Sequence, residues 1–380
     1  MAAGGAAEIL DRAKAAFKEL RYDDSEKLCK EALAAADKGM SGNDAMRMRA
    51  DIFSMLADIK NLKGAWIDSM FYQDTVTRTW FELGNNKKGT ESLIKAAMTL
   101  TRKGKQVEGM AAFKKAHDIA KKHSNFSLMG RAIFGMGSVC WRQGKYGEAL
   151  QHAEQAVNIG KKESDYELQG LALGLVAVIR SDQGEYKESV AKYKVAIEAL
   201  EKTDNHYDLA RNLSNLGETY MTQNDFKEAI KVLEKARKIA EQHQNKRTLG
   251  HILNNLAVSH VKSGDAEAAK RCVILSSEIL ENVEDKYAKA NLQMAWGMIC
   301  ADQGENVKSD GYFEKGTQMM MELGIPYDTG VVLLEHGRAL VKRGKGEEAK
   351  SVLRLAIGAF EEAGAKAIRL VAENELKAVK

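Results

Sequence analysis

The sequence predicts an all-α fold, a right-handed superhelical solenoid of nine helix hairpins followed by a capping helix. Three observations predict it. Glycine recurs on a grid of forty residues, small residues recur in columns around that grid, and apolar residues flanking each glycine fall at helical spacing. Such a hairpin cannot bury its own apolar face and must stack on the next.

The grid is Gly64, Gly104, Gly144, Gly184, Gly264, Gly304 and Gly344, with Asn224 at the remaining point. Seven residues earlier stand Ala57, Ala97, Gly137, Ala177, Gly217, Ala257, Gly297 and Gly337. Five later stand Ser69, Gly109, Ser189, Ser309 and alanine at 149, 229, 269 and 349. Twelve later come Val76, Ala116, Ala156, Ala196, Ala236, Ser276, Gly316 and Ala356. Small residues at fixed points let helix backbones approach closely. The grid residue suits a left-handed turn, where asparagine is the next most tolerant type after glycine.

Before the grid point at 224, Leu213, Leu216, Gly217 and Tyr220 share one helical face. After it, Phe226, Ala229, Ile230, Leu233, Ala236 and Ile239 share another. Eight such repeats of forty fill residues 44–363. A divergent first repeat occupies 1–43, with Leu20 in the grid column and Ala13, Ser25 and Ala32 in the small columns. Its extra residues fall in Asp37–Asp44, a polar stretch with two glycines that is expected to be a longer loop. Residues 364–380 supply the cap, with Ile368, Leu370, Val371 and Leu376 for the stack. The whole chain is expected to form one solenoid.

Composition excludes several classes. One proline (Pro326), 44% apolar and 29% charged residues describe a globular chain without a low-complexity linker. The net charge of 57 − 53 = +4 is too slight for a dedicated nucleic-acid binder. No run of eighteen apolar residues suggests a membrane span, and Met1–Asp11 lacks the pattern of a signal peptide. Four scattered cysteines (29, 140, 272 and 300) fit neither a disulfide framework nor a metal knuckle, so a reducing, cytoplasmic setting is expected.

Leu216-Gly217-x-x-Tyr220, Asn224-Asp225-Phe226-x-Glu228-Ala229-Ile230 and Leu233-x-x-Ala236 together resemble the tetratricopeptide repeat. Met136-Gly137, Gly144-Lys145-Tyr146-x-Glu148-Ala149-Leu150 and Ala156 repeat the pattern. The period is forty in place of about thirty-four, and the proline that commonly closes the repeat is absent. This longer variant is similar to the repeats of the Pins/LGN polarity adaptors, rapsyn and some bacterial regulators. The resemblance implies a scaffold whose inner groove, lined by the first helix of each hairpin, holds a partner peptide.

No dinucleotide or Walker loop, His-Glu-x-x-His or Cys-x-x-Cys occurs, so neither catalysis nor a cofactor or metal is expected. The cysteines share columns with Leu, Phe or Val and read as core residues. His260 and His336 fall in core-facing columns, and His117, His123, His152, His206 and His243 look toward solvent.

The implied groove contains Arg131, Phe134, Ser138 and Trp141, then Leu171 and Val178, then Arg211, Ser214, Asn215 and Glu218. His251, Asn254, Asn255 and Val258 follow, and then Asn291, Met294 and Met298. Asparagine amides match both the donor and the acceptor of a peptide backbone. Arg131 and Arg211 point to an acidic protein or peptide ligand, and Phe134 and Trp141 to apolar anchors. The basic pairs of a C-terminal carboxylate clamp are missing around Asn215 and Asn255. Two rival readings are an RNA-binding superhelix and a sensory module for a signal peptide. Nucleic acid is disfavoured because most lysines fall on second helices beside glutamates. Self-association, with another copy filling the groove, remains open.

Overall fold

The computed structural model describes residues 2–283 and 285–379, and every regular element among them is an α-helix. The first hairpins are α1 (Ala2–Lys18) with α2 (Tyr22–Gly39), α3 (Gly42–Leu62) with α4 (Trp66–Glu82), and α5 (Asn86–Arg102) with α6 (Gln106–Lys122). Next come α7 (Phe126–Arg142) with α8 (Tyr146–Lys162), α9 (Tyr166–Asp182) with α10 (Tyr186–Leu200), and α11 (His206–Thr222) with α12 (Phe226–Gln242). The last are α13 (Lys246–Lys262) with α14 (Ala266–Glu281), α15 (Lys286–Asp302) with α16 (Asn306–Glu322), and α17 (Pro326–Lys342) with α18 (Gly346–Glu362), before the cap α19 (Lys366–Ala378). Nine hairpins and a terminal helix are therefore present among the described residues. None of the described helices is long and apolar enough to cross a membrane.

Contacts gather in two compact units. Unit 1 is Met1–Ile179 with Lys194–Asn205, and unit 2 is Arg180–Tyr193 with His206–Lys380. Within unit 1 one core runs from Ile94 to Ala196 and another joins Leu10, Cys29, Ile52 and Ile59. In unit 2 Leu334, Leu353, Phe360 and Ala372 bury the end of the stack under α19.

Within each forty-residue repeat, helix plus link recurs every twenty residues. Most helices have seventeen residues, and the usual link has three, so helix plus link makes twenty. Within hairpins the link turns through the left-handed grid residue, as at Gly144 (φ 72°) and Asn224 (φ 59°). Lys145 N then donates to Cys140 O at 2.9 Å, closing the helix end. Between hairpins the same turn is made by Gly84, Gly324 and Gly364, and by Ser124, Ser164 and Gln244 at φ 52°, 54° and 47°. The following residue often caps the next helix. Asn85, Asn125, Asp225, Asn245, Asp265 and Asp285 each accept from a backbone N–H three residues on.

One expectation fails here. Asp37–Asp44 is not a longer loop: α2 runs to Gly39, α3 starts at Gly42, and the extra residues make α3 twenty-one residues long. Ala36 and Ala45 explain this, being 0% and 5% exposed, so both gain packing by staying helical.

The small columns mark where helices of a hairpin touch. A Cβ on Gly217 would lie 2.6 Å from Leu233 Cγ, and one on Gly337 2.7 Å from Leu353 Cδ2. At three of the serines in the column five after the grid the hydroxyl bridges the pair: Ser25, Ser69 and Ser309 donate to Ala13 O, Ala57 O and Gly297 O at 2.8–2.9 Å. A further small column stands fourteen before the grid. There Gly170, Gly250 and Gly330 would place a Cβ 2.5–2.6 Å from Leu200, Leu280 and Phe360.

Unit 1 also holds a buried charge cluster. Glu26, 8% exposed, meets Lys30, Lys60 and Lys63 at 2.8, 3.0 and 2.7 Å. Burial alone would raise its pKa, but the three ammonium groups prevail and take it from 4.5 down to about 2.

Two predictions follow from the packing and the cluster. Gly217→Leu overpacks α11 against α12 and should cost on the order of 3 kcal/mol. A thermal melt followed by circular dichroism should show an earlier, broader transition, and a wild-type melt would refute the contact. Glu26→Gln should destabilise the chain by about 2 kcal/mol at neutral pH. Because the folded pKa is depressed, that stabilisation is complete above pH 4.5 and fades as pH falls toward 2. Urea titrations of the two proteins should therefore converge across that interval.

Candidate binding grooves

Within each unit successive first helices touch directly: α5 with α7, α11 with α13, α13 with α15, and α15 with α17. Among the described residues successive second helices lack comparable contact, so the row of first helices forms the inner face of each unit.

In unit 2 that face carries polar side chains in tiers. Tyr207, Arg247, Tyr287 and Tyr327 lie in the first turns of α11, α13, α15 and α17. One turn on come Arg211, His251, Asn291 and Val331, and then Asn215, Asn255, Ala295 and Glu335. Glu218, Val258, Met298 and Arg338 complete the strip.

Arg211, about 38% exposed, is paired with Asp208 at 2.8 Å. Asn255 donates through Nδ2 to Glu218 at 2.6 Å and to Ser214 Oγ at 3.4 Å. Asn215 bonds the phenol of Tyr193, which is 1% exposed, and Asn291 bonds the phenol of Tyr287. All three asparagines are half-buried and keep part of their hydrogen-bonding capacity.

Asn254 corrects the sequence reading. It is 2% exposed, donates to Ala288 O at 2.9 Å and accepts from Ser276 Oγ at 2.7 Å. Its amide joins α13 to α14 and α15, so it is turned into the core and away from the groove.

Two kinds of carboxylate share this face. Asp285 caps α15 and receives His251 Nε2 at 3.0 Å and Arg247 Nε. Burial opposes its charge, but His251 and Arg247 outweigh burial and hold its pKa well below the usual range. Asp328 accepts from Tyr287 Oη at 2.9 Å, and no cation pairs with it among the described residues. Burial first, and then the charges of Glu218 and Asp182, raise its pKa to about 6. Glu218 touches water on the open side of the groove yet is ringed by protein. Loss of hydration raises its pKa against the bond from Asn255.

Unit 1 contains the other predicted residues. Arg131 is held by Glu167 at 2.9 Å and Asp165 at 3.3 Å; Ser127 also donates to Asp165, and Asn205 to Glu167. Phe134 is a second correction, because at 7% exposure it belongs to the core and offers little anchor surface. Trp141 is half-buried against the same core, with the Arg142 guanidinium 5.4 Å from its ring centre. Arg131, Phe134 and Trp141 thus belong to one unit, and Arg211, Asn215, Asn254, Asn255 and Asn291 to the other.

The sequence reading missed the tyrosine tier and Asp328. The signal was there: tyrosine stands seventeen residues before the grid at 207, 287 and 327.

Comparison with known proteins agrees with this geometry. The tetratricopeptide-repeat family matches residues 131–155 and 168–242. No curated protein matches the sequence. Among solved structures, a Rap protein complexed with competence and sporulation factor is similar, with TM-score 0.59, 14% identity and full coverage of both chains. The apo form of RapI gives TM-score 0.58 and 16% identity over 95% of this chain and 99% of its own. Aspartyl phosphate phosphatase F from Bacillus subtilis gives 0.59 and 14%, covering 93% of each. At these identities the likeness is one of fold, and the resemblance to Pins/LGN and rapsyn rests on repeat length alone. The family match shows tetratricopeptide repeats at residues 131–155 and 168–242, and the columns and hairpins carry the same forty-residue period through the rest of the described chain.

Proposed function

We propose that the chain is a non-enzymatic scaffold that holds a segment of a partner protein against the inner face of unit 2. The observation that carries this reading is the state of Glu218 and Asp328. Both are carboxylates on the groove face, and both are met by neutral donors, Asn255 and Tyr287, in place of a cation. A partner that brings a lysine or arginine supplies the missing charge, while the tyrosines and half-buried amides receive its backbone and apolar parts.

This refines the expected chemistry of the ligand. Arg131 and Arg211 suggested an acidic segment, but each is matched by acids of its own unit. The unmatched charge in this groove is negative, which favours a basic segment and disfavours RNA phosphates. A Rap protein of the same fold was solved with competence and sporulation factor, so the fold has a precedent for holding another molecule. The sensory reading differs only in the occupant, a free peptide in place of a protein segment.

The cysteines support the non-enzymatic part. The four cysteines are buried, and burial raises the thiols of Cys29 and Cys272 to about 12 and 11, which leaves them protonated and poorly nucleophilic.

The test is affinity capture from native lysate at pH 7.5, comparing wild type with Glu218→Gln/Asp328→Asn. A partner bound through these carboxylates should lose about tenfold or more in affinity, roughly 1–3 kcal/mol for the pair. Wild-type capture should also weaken as pH falls through about 6, because Asp328 then takes a proton. Capture that is indifferent to both changes would remove unit 2's inner face as the site.

A further inference from the structure

A cavity of about 740 Å³ opens in unit 1 beside the α4–α5 link and the first turns of α5 and α7. Arg47 and Asp51 of α3, Trp80 of α4, Lys87 and Lys88 of α5, and His123 contribute to its wall. Its volume falls within the range usual for sites that enclose small organic molecules, about 300–1,000 Å³.

Charge in the wall is one-sided. Among the described residues Asp51 is the only acid lining the cavity, and Lys88 Nζ already holds it at 2.9 Å while lying 4.0 Å above the Trp80 ring centre. Arg47 has only a loose contact with Asp44, at 3.7 Å with both side chains mostly exposed. Such a pair contributes little. Lys87 is exposed and has no acidic partner among the described residues, and the same holds for His123. Trp80 and Leu128 lie beneath these charges, but at 5% and 7% exposure, with Lys88 over the Trp80 ring, they offer a ligand little surface.

From this combination we propose that the cavity binds a small organic anion carrying at least two carboxylate or phosphate charges. Arg47 offers a planar fork to one group and Lys87 a point charge to another. The site is separate from unit 2's inner face and stands whether or not a peptide binds there.

Isothermal titration of the full chain with citrate and with pyrophosphate tests this and separates carboxylate from phosphate preference. At least one should bind saturably at one site per chain. Arg47→Gln/Lys87→Gln should weaken it by about tenfold or more. Lys114→Gln/Lys115→Gln removes the same charge from exposed positions on α6 and should change affinity by less than about twofold. Thermal melts should match wild type; if the Arg47/Lys87 pair melts early, Lys87→Gln alone takes its place with the same expectation. Equal loss in both variants, or no saturable binding of either anion, overturns the site.

Discussion

Everything else in the structure depends on the distance between the two helices of a hairpin, which is set by matching a small side chain on one with a large one on the other. Gly217 faces Leu233, Gly297 faces Phe313 and Gly337 faces Leu353. One end of the hairpin repeats the rule, with Gly170 against Leu200, Gly250 against Leu280 and Gly330 against Phe360. Volume removed from the first helix is filled by the second, so interior density is kept without a fixed residue at either place. Once that distance is held, successive first helices meet along a seam and their outward side chains form the grooves.

Much of the fold was legible because close approach leaves a mark in composition. A column restricted to glycine, alanine and serine needs no structure to be seen. The twenty-residue spacing was only partly visible. Inside hairpins the left-handed position is usually glycine; between them it is glycine at 84, 324 and 364 but Ser124, Ser164 or Gln244 elsewhere, types that carry no turn signature of their own. The small column fourteen before the grid was readable, yet its meaning appears only when Leu200, Leu280 and Phe360 are seen opposite. Asp37–Asp44 misled for the converse reason. Its two glycines end one helix and begin the next, and a polar stretch with two glycines looks like a loop until Ala36 and Ala45 are found buried.

The grooves were legible as positions but less so as chemistry. Asn254 and Asn255 are adjacent, and one step of about 100° along a helix sends the first into the core and the second onto the groove face. Arg131 and Arg211 looked like free cations because their acids were not sought. The repeat itself says where to look. Across a seam between first helices, partners lie close to one period apart: Arg131 with Asp165 and Glu167 at 34 and 36 residues, His251 with Asp285 at 34, Asn255 with Glu218 at 37, and Lys88 with Asp51 at 37. Reading each inner position against the one about thirty-four to forty residues away would have found these partners in the sequence.

That seam also explains why a few groups matter more than their neighbours. Most inner charges are neutralised by the adjacent repeat, which fixes their side chains and leaves little for a ligand to gain from them. What remains is the mismatch, where a repeat presents a charge and its neighbour answers with a neutral group or none. In unit 2 the mismatch is negative, at Glu218 beside Asn255 and Asp328 beside Tyr287. In unit 1 it is positive, at Lys87 and Arg47. A repeat protein whose columns fix the packing can therefore vary its seam freely, and its recognition chemistry resides where the repeats fail to satisfy one another.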